Sequence, residues 1–144
     1  MKDNINLHLK IQEMIDCFAT TDPLKEMSIV ANDRDTDEAA LKWVALAALH
    51  GINNNAKAIS ISQSKDGKIT VNAKYRESQL PSPGHDIGKN VIRTLRSVTH
   101  IDDDKGKLPL ALGIRDGSID LVVKVDKDDG GENITLKFND GKSH

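Results

Sequence analysis

The chain has 144 residues, 38% in the hydrophobic set and 29% charged, which fits one soluble domain over residues 1–144 with an aliphatic core that needs no disulfide or structural metal. Twenty basic against 22 acidic side chains leave a net charge of −2, so no global field draws in nucleic acid or an anionic membrane. Aromatic residues make up 3%, namely Phe18, Trp43, Tyr75 and Phe138, too few for a platform on which bases could stack.

Residues 1–12 interleave Lys2, Asp3, His8 and Lys10 with apolar positions, unlike the basic start and continuous apolar stretch of a secretory signal. The one cysteine, Cys17, excludes an internal disulfide framework and a cysteine-based zinc site. Both features point to the cytoplasm. Leu7, Ile11, Met14, Ile15 and Phe18 keep helical spacing, which predicts a first amphipathic helix with Cys17 as a small buried hydrophobe beside the stripe. Ile5, Leu7, Leu9 and Ile11 also alternate, so a strand start is the rival reading. Asp22-Pro23 reads as an N-cap with proline in the first turn, opening a short helix through Leu24, Met27 and Val30.

Asp35 and Glu38 are spaced like a capping box, and Asp37 and Glu38 suit the positive end of the helix that follows. That helix is expected to reach His50 and stop at Gly51, with a loop over Gly51–Asn55. Leu41, Val44, Ala45, Ala48 and Leu49 form one apolar face, while Trp43, Leu46 and Ala47 lie opposite. A helix apolar nearly all round needs two partners, the sheet on one side and the first helix or a second subunit on the other. Trp43, Leu46 and Ala47 are therefore candidate interface residues. At eleven residues and with Lys42 inside it, the window Ala39–Leu49 is too short to span a bilayer.

Strands follow. Ala56–Gln63 and Lys68–Arg76 are joined by Lys65-Asp66-Gly67, and a three-residue loop with Gly67 left-handed sets Ile61 against Val71, Ile59 against Ala73 and Gln63 against Ile69. This register puts Tyr75 inward and leaves Ser60, Ser62, Thr70, Asn72 and Lys74 on the outer face. Leu80-Pro81-Ser82-Pro83-Gly84 breaks the sheet. A third long helix is expected from His85 to Thr99, capped by Ser82 or Asp86, with Ile87, Val91, Leu95 and Val98 buried and Lys89, Arg93, Arg96 and His100 solvated.

After a polar loop over Asp102–Gly106 comes a three-stranded meander. A two-residue Asp116-Gly117 turn pairs Ile114 with Ile119, Leu112 with Leu121, Leu110 with Val123 and Leu108 with Val125. The next hairpin, closed by Asp126–Glu132, sets Val125 against Ile134, Val123 against Leu136 and Leu121 against Phe138. The expected fold is α+β: a largely antiparallel sheet of about five strands, a hairpin plus a meander, with three to four helices packed on one face.

The stretch from Ser82 to Asn90 carries the most suggestive chemistry. A glycine-flanked turn entering a helix offers backbone N–H groups to an anion, so Gly84, His85, Gly88, Lys89 and Arg93 are candidate ligands of a phosphate or carboxylate. It is not a P-loop, since three residues separate the glycines and Asn90 stands where Ser or Thr is needed. His85 and Asp86, as chain neighbours, are not expected to pair, and no nucleophile sits in a recognisable elbow, so no catalytic residue is assigned. His50, His85 and His100 with Asp102, Asp103 and Asp104 lack zinc-site spacing, and Asp126–Glu132 lacks the position-12 carboxylate of a calcium loop. No metal or cofactor is expected. The reading is a cytoplasmic, non-enzymatic interaction or regulatory module that self-associates as a homodimer. The alternative is a domain binding a small anionic ligand at Gly84–Lys89 with Arg93. Nucleic-acid binding through Lys89, Arg93 and Arg96 ranks last, because one basic stripe lacks aromatic interleaving.

Overall fold

Helices α1 (Asn4–Phe18), α2 (Pro23–Val30) and α3 (Thr36–Asn53) precede strands β1 (Ala58–Ser64), β2 (Ile69–Ala73) and β3 (Ser78–Leu80). Helix α4 (His85–Thr99) then leads into β4 (Lys105–Ile114), β5 (Gly117–Asp128) and β6 (Gly131–Phe138). The computed structural model describes residues 4–18, 21–30, 32–54, 56–73, 78–80, 82–101, 103–114, 117–128 and 130–138. The expectations for Tyr75, Lys74 and Asp102 fall outside them.

The strands form one antiparallel sheet in the order β3-β2-β1-β6-β5-β4. Its sixth strand, β3, goes beyond the five expected; it ends at Leu80, the first residue of the segment expected to break the sheet, and pairs Val71 with Leu80. The α+β architecture agrees with the sequence pattern. On one face Ile59, Ile61, Val71, Leu112, Leu121, Val123, Val125, Ile134 and Leu136 are buried under the helices. The other face carries exposed or half-buried Ser60, Ser62, Thr70, Asn72, Lys124 and Thr135.

Hairpin β1–β2 has the expected register, Ile61 opposite Val71 and Gln63 opposite Ile69. Gly67 takes φ 91° and its N–H bonds the Ser64 carbonyl at 2.9 Å, as a three-residue loop requires. Hairpin β5–β6 likewise sets Val125 against Ile134 and Leu121 against Phe138. Its strands run further than the sequence suggests, to the pair Asp128–Gly131, and β4 begins at Lys105 inside the expected polar loop.

The β4–β5 register differs. Ile114 pairs with Gly117, Leu112 with Ile119, Leu110 with Leu121 and Leu108 with Val123, a slip of two residues from the Asp116-Gly117 turn. Such a slip preserves which side chains face the core, because side chains alternate with a period of two. The hydrophobic pattern alone is blind to it.

Helix α3 corrects two expectations. It continues through Gly51 to Asn53, and its C-cap is Asn54, whose backbone N–H bonds the His50 carbonyl at 3.1 Å. Gly51 is instead the point where the helix meets the β6 end: a Cβ there would lie 2.1 Å from Cζ of Phe138. Trp43, Leu46 and Ala47 are wholly buried within the one chain. Helices α1, α2 and α4 all pack on α3, which accounts for an apolar surface running around the helix. None of the three is exposed on the surface of the chain.

The caps follow the sequence in part. Asp35 accepts the Glu38 N–H at 3.0 Å, and Asp22 opens α2 through its carbonyl, which accepts the Glu26 N–H at 3.0 Å. The N-cap of α4, however, is Gly84, at φ 88° and with no side-chain cap. Ser82, expected to cap, donates to the Ile69 carbonyl at 2.9 Å and so ties the helix entry to β2. Cys17 is exposed, against expectation: it falls beside the stripe of Ile11 and Ile15, which are fully buried, but on the solvent side of its edge.

Candidate functional site

The inner face of the sheet is apolar over most of its length and turns polar at one end. Gln63 of β1 lies opposite Glu132 of β6, and Glu132 lies opposite Lys127 of β5. The Lys127 N–H bonds the Asp104 carbonyl at 2.8 Å, which adds Asp104 to the row. One row nearer the core the corresponding residues are Ile61, Ile134 and Val125, all buried. Over the polar row passes α4, whose Lys89, Ile92, Arg93 and Arg96 fall at i, i+3, i+4 and i+7 and share one helix face. Together they line a cleft of about 370 Å³.

Arg96 is committed to the fold. Its Nε donates to Glu132 Oε2 at 2.5 Å, and its Nη1 donates to the carbonyls of Ile101 at 3.1 Å and Asp103 at 2.9 Å. It thereby clasps the segment after α4 to the sheet and is not the solvated residue that the stripe suggested. Lys89, Arg93 and Lys127 differ from it. Their side chains make no hydrogen bond or ion pair with another described residue. The lining thus sets four cations against two carboxylates, Asp104 and Glu132, on a chain whose net charge is negative.

A larger cleft, about 740 Å³, opens on the other side of Arg93. Its walls are Lys10, Glu13 and Met14 of α1, the N-terminal end of α3 with Asp35, Asp37, Glu38 and Leu41, and Asn90, Arg93, Thr94 and Ser97 of α4. Asn90 is buried and its Nδ2 donates to Thr36 Oγ1 at 3.0 Å and Asp37 Oδ1 at 3.1 Å.

Of the residues singled out in the sequence, Lys89 and Arg93 meet at the smaller cleft, and Lys127 and Gln63 join them from distant strands. Gly84, His85 and Gly88 do not line it. Gly88 is a packing residue, since a Cβ there would lie 2.6 Å from Cγ1 of Ile69. His85 and Asp86 do pair, Nδ1 to Oδ1 at 3.2 Å, because both side chains are free to turn toward each other at the exposed first turn. The histidines do not converge: His85 and His100 sit at opposite ends of the 15-residue helix α4, roughly 22 Å apart along its axis. His50 is buried in α3, and burial pushes its imidazole below the ordinary range. Among the described residues no three metal-ligating side chains come together, and no helix is long and apolar enough to cross a membrane. Comparison with known proteins finds no matching family and no curated relative.

Proposed function

We propose that this protein is a non-enzymatic binding module whose cleft between α4 and the polar end of the sheet takes a small anion, a phosphate or carboxylate group on a soluble molecule. One observation carries the reading: Lys89, Arg93 and Lys127 surround a single cleft without carboxylate partners of their own among the described residues. Unpaired cations held together repel one another, and a bound anion relieves that repulsion while gaining charge-assisted hydrogen bonds. The volume is at the small end of ligand sites, which suits a compact anionic group. Among the described residues the lining contains no Ser, Thr, Cys or His, which supports binding over nucleophilic chemistry.

The grounds for self-association lay in the apolar circumference of α3, and α1, α2 and α4 now occupy it. The binding reading is therefore preferred. It is tested by titrating inorganic phosphate and citrate into the protein and into a Lys89→Ala/Lys127→Ala variant while following thermal unfolding. At 100 times its dissociation constant a ligand stabilises by about 2.7 kcal/mol. The wild type should show that shift, weakened by added salt, and the variant should lose most of it. Equal responses in the two proteins would reject the site.

A further inference from the structure

We infer that the anion held between α4 and the polar end of the sheet is the dianionic phosphate of a monoester, and that singly charged acids are poor substitutes for it. This deepens the anion reading and rests on it.

Two features of the cleft carry the inference: its charge count and the directions from which its cations come. Lys89, Arg93, Arg96 and Lys127 stand against Asp104 and Glu132, so the lining holds an excess of two positive charges. Arg93 also borders the larger cleft, yet no carboxylate there pairs with it among the described residues. A carboxylate or a sulfate ester brings one negative charge and leaves half of that excess unanswered. A phosphate monoester carries about −1.5 to −2 at pH 7 and closes the count.

The cations also stand on two walls. Lys89 and Arg93 reach the cleft from one face of α4, and Lys127 reaches it from β5 in the sheet beneath. A carboxylate has two oxygens in one plane, and a single guanidinium takes both. The three terminal oxygens of a phosphate ester diverge about a tetrahedral centre, so the helix wall and the sheet wall can each meet one. Arg96 adds a donor that is already in place. Its bonds to Glu132, Ile101 and Asp103 use Nε and Nη1, and Nη2 has no partner among the described residues. A donor ordered by the fold loses little freedom when a ligand arrives. The fourth oxygen is the ester oxygen, and a cleft of about 370 Å³ has room for the organic group on it.

The test is calorimetry on the full chain at neutral pH with four probes: butyl phosphate, butyl sulfate, pentanoate and succinate. Butyl sulfate keeps the tetrahedral shape with one charge fewer, pentanoate is planar and singly charged, and succinate carries two charges on separate carboxylates. Butyl phosphate should bind about tenfold tighter than butyl sulfate or pentanoate, and tighter than succinate. Lys89→Ala/Lys127→Ala removes the excess charge, so it should weaken butyl phosphate and bring it within about twofold of butyl sulfate. Both lysines are exposed, so the variant is expected to fold, and the ranking in the unaltered chain is decisive on its own. If butyl sulfate or pentanoate matches butyl phosphate, the dianion is overturned and the anion site stands. Succinate as the tightest ligand would overturn the phosphate in favour of a dicarboxylate at the same site. A phosphate preference undiminished in the variant would show that these cations are not its source, and the inference fails. If no probe binds, the anion site itself fails.

Discussion

Replacing Gly88 with alanine reports directly on how α4 sits on the sheet. The new methyl would lie 2.6 Å from Cγ1 and 2.8 Å from both Cδ1 and Cγ2 of Ile69, inside any contact that real Cβ atoms make. Ile69 is 6% exposed and β-branched, so its side chain is stiff at χ1 and cannot swing aside. Elsewhere in a helix the same change gains about 1 kcal/mol of propensity. Here three such contacts put overpacking in the upper part of its range, about 2–3 kcal/mol, and the balance is a loss on the order of 1–2 kcal/mol.

A second substitution makes the sign informative. Ile69→Ala alone should cost about 2–5 kcal/mol through the cavity it leaves. In that background the three obstructing carbons are gone, and Gly88→Ala should stabilise by about 1 kcal/mol. The sign reverses because the two sites share one space, which a double-mutant cycle measures as coupling. Guanidinium denaturation followed by fluorescence of Trp43, the one tryptophan and wholly buried, supplies the four stabilities. A neutral or stabilising Gly88→Ala in the unaltered chain would refute the close approach of α4 to β2.

Gly131→Ala should cost about 3 kcal/mol or more, since φ is 136° and the added Cβ would lie 2.2 Å from the Gln63 backbone oxygen; a denaturation midpoint equal to that of the wild type would contradict the β1–β6 approach. His50 is held below its ordinary value of 6.5 by burial, so the unfolded chain takes up the proton first as pH falls. Stability is thus intact above about 6.5 and declines below it until the folded imidazole also protonates. Unfolding curves from pH 8 to 5 should show that decline, and His50→Gln should flatten it. Glu132→Gln should loosen the fold by about 1–2 kcal/mol through its bond to Arg96. It should also tighten phosphate binding roughly fivefold, by removing about 1 kcal/mol of repulsion; weaker binding in calorimetry would count against the electrostatic account. Sedimentation at micromolar concentration should give a monomer, as α3 is covered within the chain; a dimer of the folded protein would show that another face associates.

The parts of the fold legible in the sequence are those encoded by local turns and by alternation. The Lys65-Asp66-Gly67 loop has one register that matches Ile61 to Val71, and the structure adopts it. At β4–β5 two registers differ by two residues, both set apolar against apolar, and parity gives no choice between them. Glycine misled in a similar way. Gly51 and Gly88 resemble a helix stop and a phosphate-binding turn, yet each lies inside a helix where another element comes too close for a Cβ. That reason resides in Phe138 and Ile69, far away in the chain.

The candidate site divides along the same line. Lys89 and Arg93 could be found because helical spacing alone puts them on one face. Gln63 could not, because it reaches the cleft only through the pairing of β1 with β6, and no turn joins those two strands; Lys127 arrives from β5 through its hairpin with β6. A signal did exist in β6 and β5. Along the inward positions Leu136, Ile134, Glu132 and Val123, Val125, Lys127, the apolar run ends in a charge on both strands at the same register. A charge on a core-facing position costs free energy unless it is paired or reaches water. Glu132 is paired, with Arg96; Lys127 is not paired among the described residues, and it lines an open cleft. The inward alternation that builds the core therefore also marks where the core stops, and the first cation beyond its edge is the residue that the helix stripe alone could not supply.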